Sequence, residues 1–101
     1  MKLTERKKQI KRQADILAKS RDRWIKKNNY FYNNDCSYMQ FLVGEEARVL
    51  DLGCGTGHLL NSLNPSYGVG VDLSANMVST AQQNYPNLEF IQGDLENKDF
   101  I

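Results

Sequence analysis

The residues best suited to chemistry are Asp51-Leu52-Gly53-Cys54-Gly55-Thr56-Gly57, a carboxylate followed by three glycines in five positions. Gly53 permits a sharp turn, Gly55 lets a ligand approach the backbone, and Gly57 allows a helix to pack close to a sheet. The spacing excludes two phosphate cradles. There is no G-x-x-x-x-G-K-[ST], and a G-x-G-x-x-G fails because its sixth position is His58 counted from Gly53 and Leu60 counted from Gly55. Asp51 would repel a pyrophosphate and suits a cationic head. Asp72 follows Gly53 by nineteen residues, where a carboxylate can grip a ribose diol, and Asp94 supplies a third acid in Gly93-Asp94-Leu95. A ligand carrying an ammonium, a sulfonium, a ribose and an adenine fits three such carboxylates better than one carrying phosphates.

The elements that must position these residues follow from the change in hydrophobic period. Residues 3–27 lack Gly and Pro and are rich in helix formers, with Leu3, Ile10, Ala14, Leu17 and Trp24 on one expected face. A short helix is expected from Asp35 to Leu42, capped by Asp35. Half of the ten aromatics fall in residues 28–41, as core or as a lid over a planar ligand. From Ala47 onward the expectation is a buried strand over Arg48–Leu52, a helix from Gly57 to about Asn64, and a strand over Tyr67–Val71. A helix capped by Ser74 and running to about Asn84 follows, then a strand over Leu88–Gln92. That alternation predicts an α/β, Rossmann-like parallel sheet of three strands in the order 3-2-1, incomplete and preceded by an N-terminal helical region. Ligands of open α/β sheets bind outside the carboxyl ends of the strands, so Asp51, Asp72 and Asp94 should line one crevice. The expected units are residues 1–45, a basic helix with an aromatic-rich helical segment, and residues 46–101, a partial Rossmann-like domain.

Composition fits an ordinary globular chain, at 41% hydrophobic and 25% charged. The net charge of +1 hides an asymmetry: residues 1–27 hold eleven of the thirteen Lys and Arg against three acids, and residues 28–101 hold two against nine. The basic arm is either a docking helix with a solvated face or a contact for RNA, anionic lipid or an acidic partner. No apolar run approaches a membrane span and no secretory signal opens the chain. Cys36 and Cys54 form no C-x-x-C, which argues against a zinc site or a disulfide scaffold, so a cytoplasmic location and no metal are expected. No base lies near Cys54 in sequence to make it a nucleophile. His58 reads as packing or surface.

Val49-Leu50-Asp51-Leu52-Gly53-Cys54-Gly55-Thr56-Gly57 resembles the first motif of class I S-adenosylmethionine-dependent methyltransferases. Gly70-Val71-Asp72-Leu73-Ser74 resembles the acidic motif that follows, and Phe90-Ile91-Gln92-Gly93-Asp94-Leu95-Glu96 the next. The resemblance covers about residues 46–97. It implies S-adenosyl-L-methionine as cofactor. The backbone at Gly53, Cys54 and Gly55 would face its methionine part, and Asp51 would take its ammonium. Asp72 would accept from both ribose hydroxyls, Leu73 and Met77 would pack on the adenine, Asp94 would take the adenine amino group, and the Leu95 N–H would donate to the ring. Arg23-Trp24, the aromatic stretch and Pro65-Ser66-Tyr67-Gly68-Val69-Gly70 also resemble bacterial chains that join such a domain to a polyprenyl-phosphate glycosyltransferase.

The family resemblance implies a seven-stranded sheet of order 3-2-1-4-5-7-6, of which this chain supplies three strands. The acceptor-binding half and any catalytic acid or base therefore have no residues here. The expected activity is methyl transfer to an unidentified acceptor, with this chain as the cofactor-binding half and inactive alone. The alternative is a non-catalytic truncated remnant or a basic-helix interaction module.

Overall fold

The structure, a computed structural model, describes residues 3–96. The side chains of Phe31 and Tyr32, two of the expected core or lid rings, lie outside that description, as do residues 97–101 of the expected second unit.

Helix α1 (Glu5–Lys27) starts where Thr4 accepts a hydrogen bond from the Lys7 N–H at 3.2 Å. Glu5 in its first turn and Lys26 and Lys27 in its last complement the helix dipole. Its end is a single residue: the backbone and side-chain N–H groups of Asn28 both donate to the Trp24 carbonyl at 2.9 Å. Helix α2 (Asn29–Val43) begins at once. This corrects the expected Asp35 cap. Because the chain turns entirely at Asn28, residues 29–34 are already helical, and Asp35 is an exposed position inside α2.

The rotation of α1 is a second correction. Ala18 and Ile25 are its buried residues, while Ile10, Leu17 and Trp24 are about half exposed. Polar ties set that rotation. The Asp15 carboxylate accepts from the Ser74 hydroxyl and, at 3.2 Å, from the Asn76 N–H. Asp22 accepts from the Asn84 amide at 2.8 Å. Hydropathy spacing identified the helix but not the face that these acids anchor.

The sheet is parallel throughout. β1 (Arg48–Leu52) pairs with β2 (Tyr67–Asp72), which pairs with β3 (Glu89–Gln92), giving the order 3-2-1. Helices α3 (His58–Ser62) and α4 (Ala75–Asn84) form the crossovers, and Ser74 caps α4 by accepting from the Met77 N–H at 3.1 Å. The chain is thus an α/β, Rossmann-like partial sheet behind an N-terminal helical region. The core gathers Cys54, Leu60, Val78, Ala81 and Phe90, with Val49, Tyr85 and Leu88 against them. Backbone closeness is built in at Gly70, where a Cβ would stand 2.8 Å from both Cys54 and Phe90. β1 is not the buried strand expected. It alternates, with Leu50 and Leu52 at 62% and 57% exposure, because the core helices cover only the face that carries Val49 and Phe90. Among the described residues no helix is long and apolar enough to cross a membrane.

Candidate functional site

The three strands end together, and Asp72 joins the loops that leave them. Its Oδ2 accepts from the Gly55 N–H and its Oδ1 from the Ser74 N–H, both at 2.9 Å. Its backbone carbonyl accepts from the Gly93 N–H at 3.0 Å. One residue therefore fixes the glycine loop, the start of α4 and the exit of β3. The loop is tied further by the Val71 carbonyl, which accepts from Gly53 at 2.7 Å and Cys54 at 3.0 Å. The three N–H groups at Gly53, Cys54 and Gly55 are thus used within the protein.

Above the loop there is room. A Cβ on Gly55 would meet nothing nearer than Met77 Sδ at 4.0 Å, so the backbone is open to a ligand on that side. Thr56 Oγ1, buried in the same loop, has no hydrogen-bond partner among the described residues. A cavity of about 260 Å³ is bounded by Gly53, Asp72, Leu73, Asp94 and Leu95 and, from α1, by Lys7 and Ile10. A second, of about 370 Å³, lies between Gly55 and Met77 on one side and Leu17, Arg21 and Trp24 of α1 on the other. The structure so brings five of the expected residues to one cavity and two to its neighbour. Asp51 stands half-buried at the last ladder positions of β1, and Cys54 points into the core.

The electrostatics favour a cation. Burial pushes the Asp51 carboxyl above the usual carboxylate range, and the charge of Asp72 pushes it further. No cation is paired with either among the described residues. Burial and then the same two acids raise the Cys54 thiol to about 12, which leaves it protonated and inert at neutral pH. Asp94 differs. The Lys7 ammonium, bonded at 2.9 and 3.2 Å, holds its carboxyl below the usual range. Lys7 and Ile10 were missed from the sequence because 87 residues separate Lys7 from Asp94. The only signal was the opposition of a basic arm to an acidic body.

Parallel strands in the order 3-2-1, a glycine loop after the first and a carboxylate closing the second define a Rossmann-like protein with its ligand site at the carboxyl edge. The chain belongs to the methyltransferase-domain family, whose family model matches residues 49–101, and within it to the class I S-adenosylmethionine-dependent kind. S-adenosyl-L-methionine is the cofactor of that family. A malonyl-[acyl-carrier protein] O-methyltransferase of Halalkalibacterium halodurans is 42% identical over 59 residues, 52% of this chain and 22% of that one. Among solved structures, Streptomyces venezuelae DesVI has a TM-score of 0.65 at 26% identity, covering 76% of this chain and 35% of that one. A SAM-dependent methyltransferase from Thiobacillus denitrificans in complex with S-adenosyl-L-homocysteine has a TM-score of 0.52 at 29% identity, covering 60% and 29%. The likeness to glycosyltransferase-fused chains finds no support among these. The chain spans between 22% and 37% of the length of the curated relatives it matches.

Proposed function

We propose that this chain is the cofactor-binding side of an S-adenosylmethionine-dependent methyltransferase. The observation that carries the reading is the pair Asp51 and Asp72, two carboxylates without a paired cation beside an open glycine loop at the carboxyl edge of a parallel sheet. The residues fit the cofactor. Asp51 would take its ammonium, and the free lone pairs of Asp72 its ribose hydroxyls. Leu73 and Met77 would cover the adenine, Asp94 and the Leu95 N–H would read its edge, and Gly53, Cys54 and Gly55 would line the methionine end. Bound there, the cofactor supplies a sulfonium methyl group open to nucleophilic attack. Helix α1 of the N-terminal helical unit would roof this site and the partial Rossmann-like unit form its floor, in the cytoplasm. The acceptor would be held by polypeptide other than residues 1–101, since the chain spans at most 37% of its curated relatives' length and transfer needs two reactants held together.

A second reading rests on α1, where Arg6, Lys8, Arg12, Lys19, Arg23, Lys26 and Lys27 are all exposed. That face supports an acidic protein, RNA or anionic lipid as partner, with or without catalysis.

The test is a ¹⁵N–¹H chemical-shift titration of the chain with S-adenosylhomocysteine, beside Asp72→Asn. Loss of a charge-assisted acceptor costs on the order of 1.5–3 kcal/mol, so affinity should fall about ten- to a hundredfold. Equal affinities in two folded proteins would remove Asp72 from the site.

A further inference from the structure

We infer that Lys7 is an internal competitor for the cofactor, occupying the position that the adenine amino group takes, so that the first turns of α1 are a latch that ligand binding opens. This rests on the cofactor reading above. The Lys7 ammonium straddles Asp94, at 3.2 Å from Oδ1 and 2.9 Å from Oδ2, and reaches Glu96 at 3.1 Å. Asp94 Oδ1 also accepts from the Glu96 N–H at 3.1 Å. With Lys7 in place, the Asp94 side chain is only 7% exposed.

A carboxylate offers about four acceptor sites. Lys7 and the Glu96 N–H take three of them here, and the ammonium stands in the cavity wall shared with Asp72 and Leu73. An incoming exocyclic amine and the Lys7 ammonium therefore seek the same oxygens from the same side. Exchange replaces the charged donor on Asp94 by a neutral one, and the released ammonium keeps its contact with Glu96, which is 80% exposed and free to follow it.

The rest of α1 does not need to move. From Asp15 onward the helix is tied to α4 through Ser74, Asn76 and Asn84. Only the turns before Asp15 overlie the cavity, through Lys7 and Ile10. The latch is thus local, and the helix that carries it stays anchored.

Competition of this kind lowers apparent affinity by the fraction of molecules with the latch open. Lys7→Met should bind S-adenosylhomocysteine about three- to tenfold more tightly than the native chain, if the latch is closed in roughly 70–90% of molecules. S-inosylhomocysteine presents a 6-carbonyl, which accepts from the Lys7 ammonium and does not need the latch open, so it should gain nothing from the substitution. Glu96→Gln, which weakens the second anchor without touching α1, should shift affinity for the adenine ligand in the same direction by a smaller factor, and Lys7→Arg should resemble the native chain. Chemical-shift titrations of the four proteins with both ligands read these affinities. Equal or weaker binding of S-adenosylhomocysteine by both Lys7→Met and Glu96→Gln would overturn the latch while leaving the cofactor reading intact. Equal gains for both ligands would also overturn it, since the exchange is specific to the amine. Absence of binding to any of the four would overturn the cofactor reading and the latch with it.

Discussion

Gly57→Ala should destabilise the fold far more than Gly53→Ala, although both residues have the same kind of backbone. Their φ angles are +86° and +79°, in the left-handed region, where a Cβ costs about 1–2 kcal/mol. They differ in what that Cβ meets. At Gly53 nothing lies within 4 Å, whereas at Gly57 the new methyl would stand 2.7 Å and 2.9 Å from Phe90 ring carbons and 3.1 Å from Tyr85. Phe90 is a core residue at 5% exposure, with no open space for its ring to enter, and the partly buried Tyr85 packs against the same cluster. Overpacking of this kind adds about 1–3 kcal/mol. The sum is about 2–5 kcal/mol for Gly57→Ala and about 1–2 for Gly53→Ala, against roughly 5–15 kcal/mol for a chain of this size. At about 4–8 °C per kcal/mol, Tm should fall by about 8–40 °C in the first case and by about 4–16 °C in the second. Thermal unfolding followed by circular dichroism reads the difference. Phe90→Leu, which removes the crowded ring carbons, should show a favourable coupling with Gly57→Ala in a double-mutant cycle. Equal Tm losses at the two glycines, or no coupling to Phe90, would refute the argument that Gly57 is needed for contact as well as for conformation.

Asp51 should give opposite pH trends for stability and for binding. Burial and the charge of Asp72 hold its carboxyl above the usual carboxylate range, so the folded protein binds more protons than the unfolded chain in that window. Its contribution to stability therefore rises as pH falls through the window, while affinity for an ammonium ligand falls. Asp51→Asn should flatten both trends in denaturant titrations and ligand titrations run between about pH 4 and 7. The chain of 101 residues should transfer no methyl group by itself. Transfer of labelled methyl from S-adenosylmethionine to a cell extract is the measurement, and robust turnover would show that acceptor binding needs no other polypeptide.

The sheet was legible because its signals are local. Asp51 through Gly57 encodes a strand end, a turn and a helix start within seven residues, and Ser74 announces its helix by type and position alone. The ligand-facing edge followed from topology, which places every strand end of a parallel sheet on one side. What was not legible came from contacts between distant segments. The Asp35 cap failed because Asn28, not the region after Asn33-Asn34, turns the chain, by giving two donors to one carbonyl.

The apolar stripe of α1 makes the same point with a functional consequence. Ile10, Leu17 and Trp24 recur every seven residues, about 10.5 Å apart along the axis, and periodicity alone assigns them to the core. The polar ties of Asp15 and Asp22 turn the helix so that the stripe lies beside the core: Ile10 borders the cavity of Asp72 and Asp94, and Leu17 and Trp24 border that of Gly55 and Met77. Partial exposure of three large apolar side chains costs stability that burial would have supplied. Their placement along both cavities gives that exposure a use, as an apolar roof facing the acidic floor. A cofactor with an adenine at one end and a charged head at the other would bury the stripe on binding. The basic arm and the acidic body would then be two sides of one binding site, joined at Asp94 by the Lys7 ion pair.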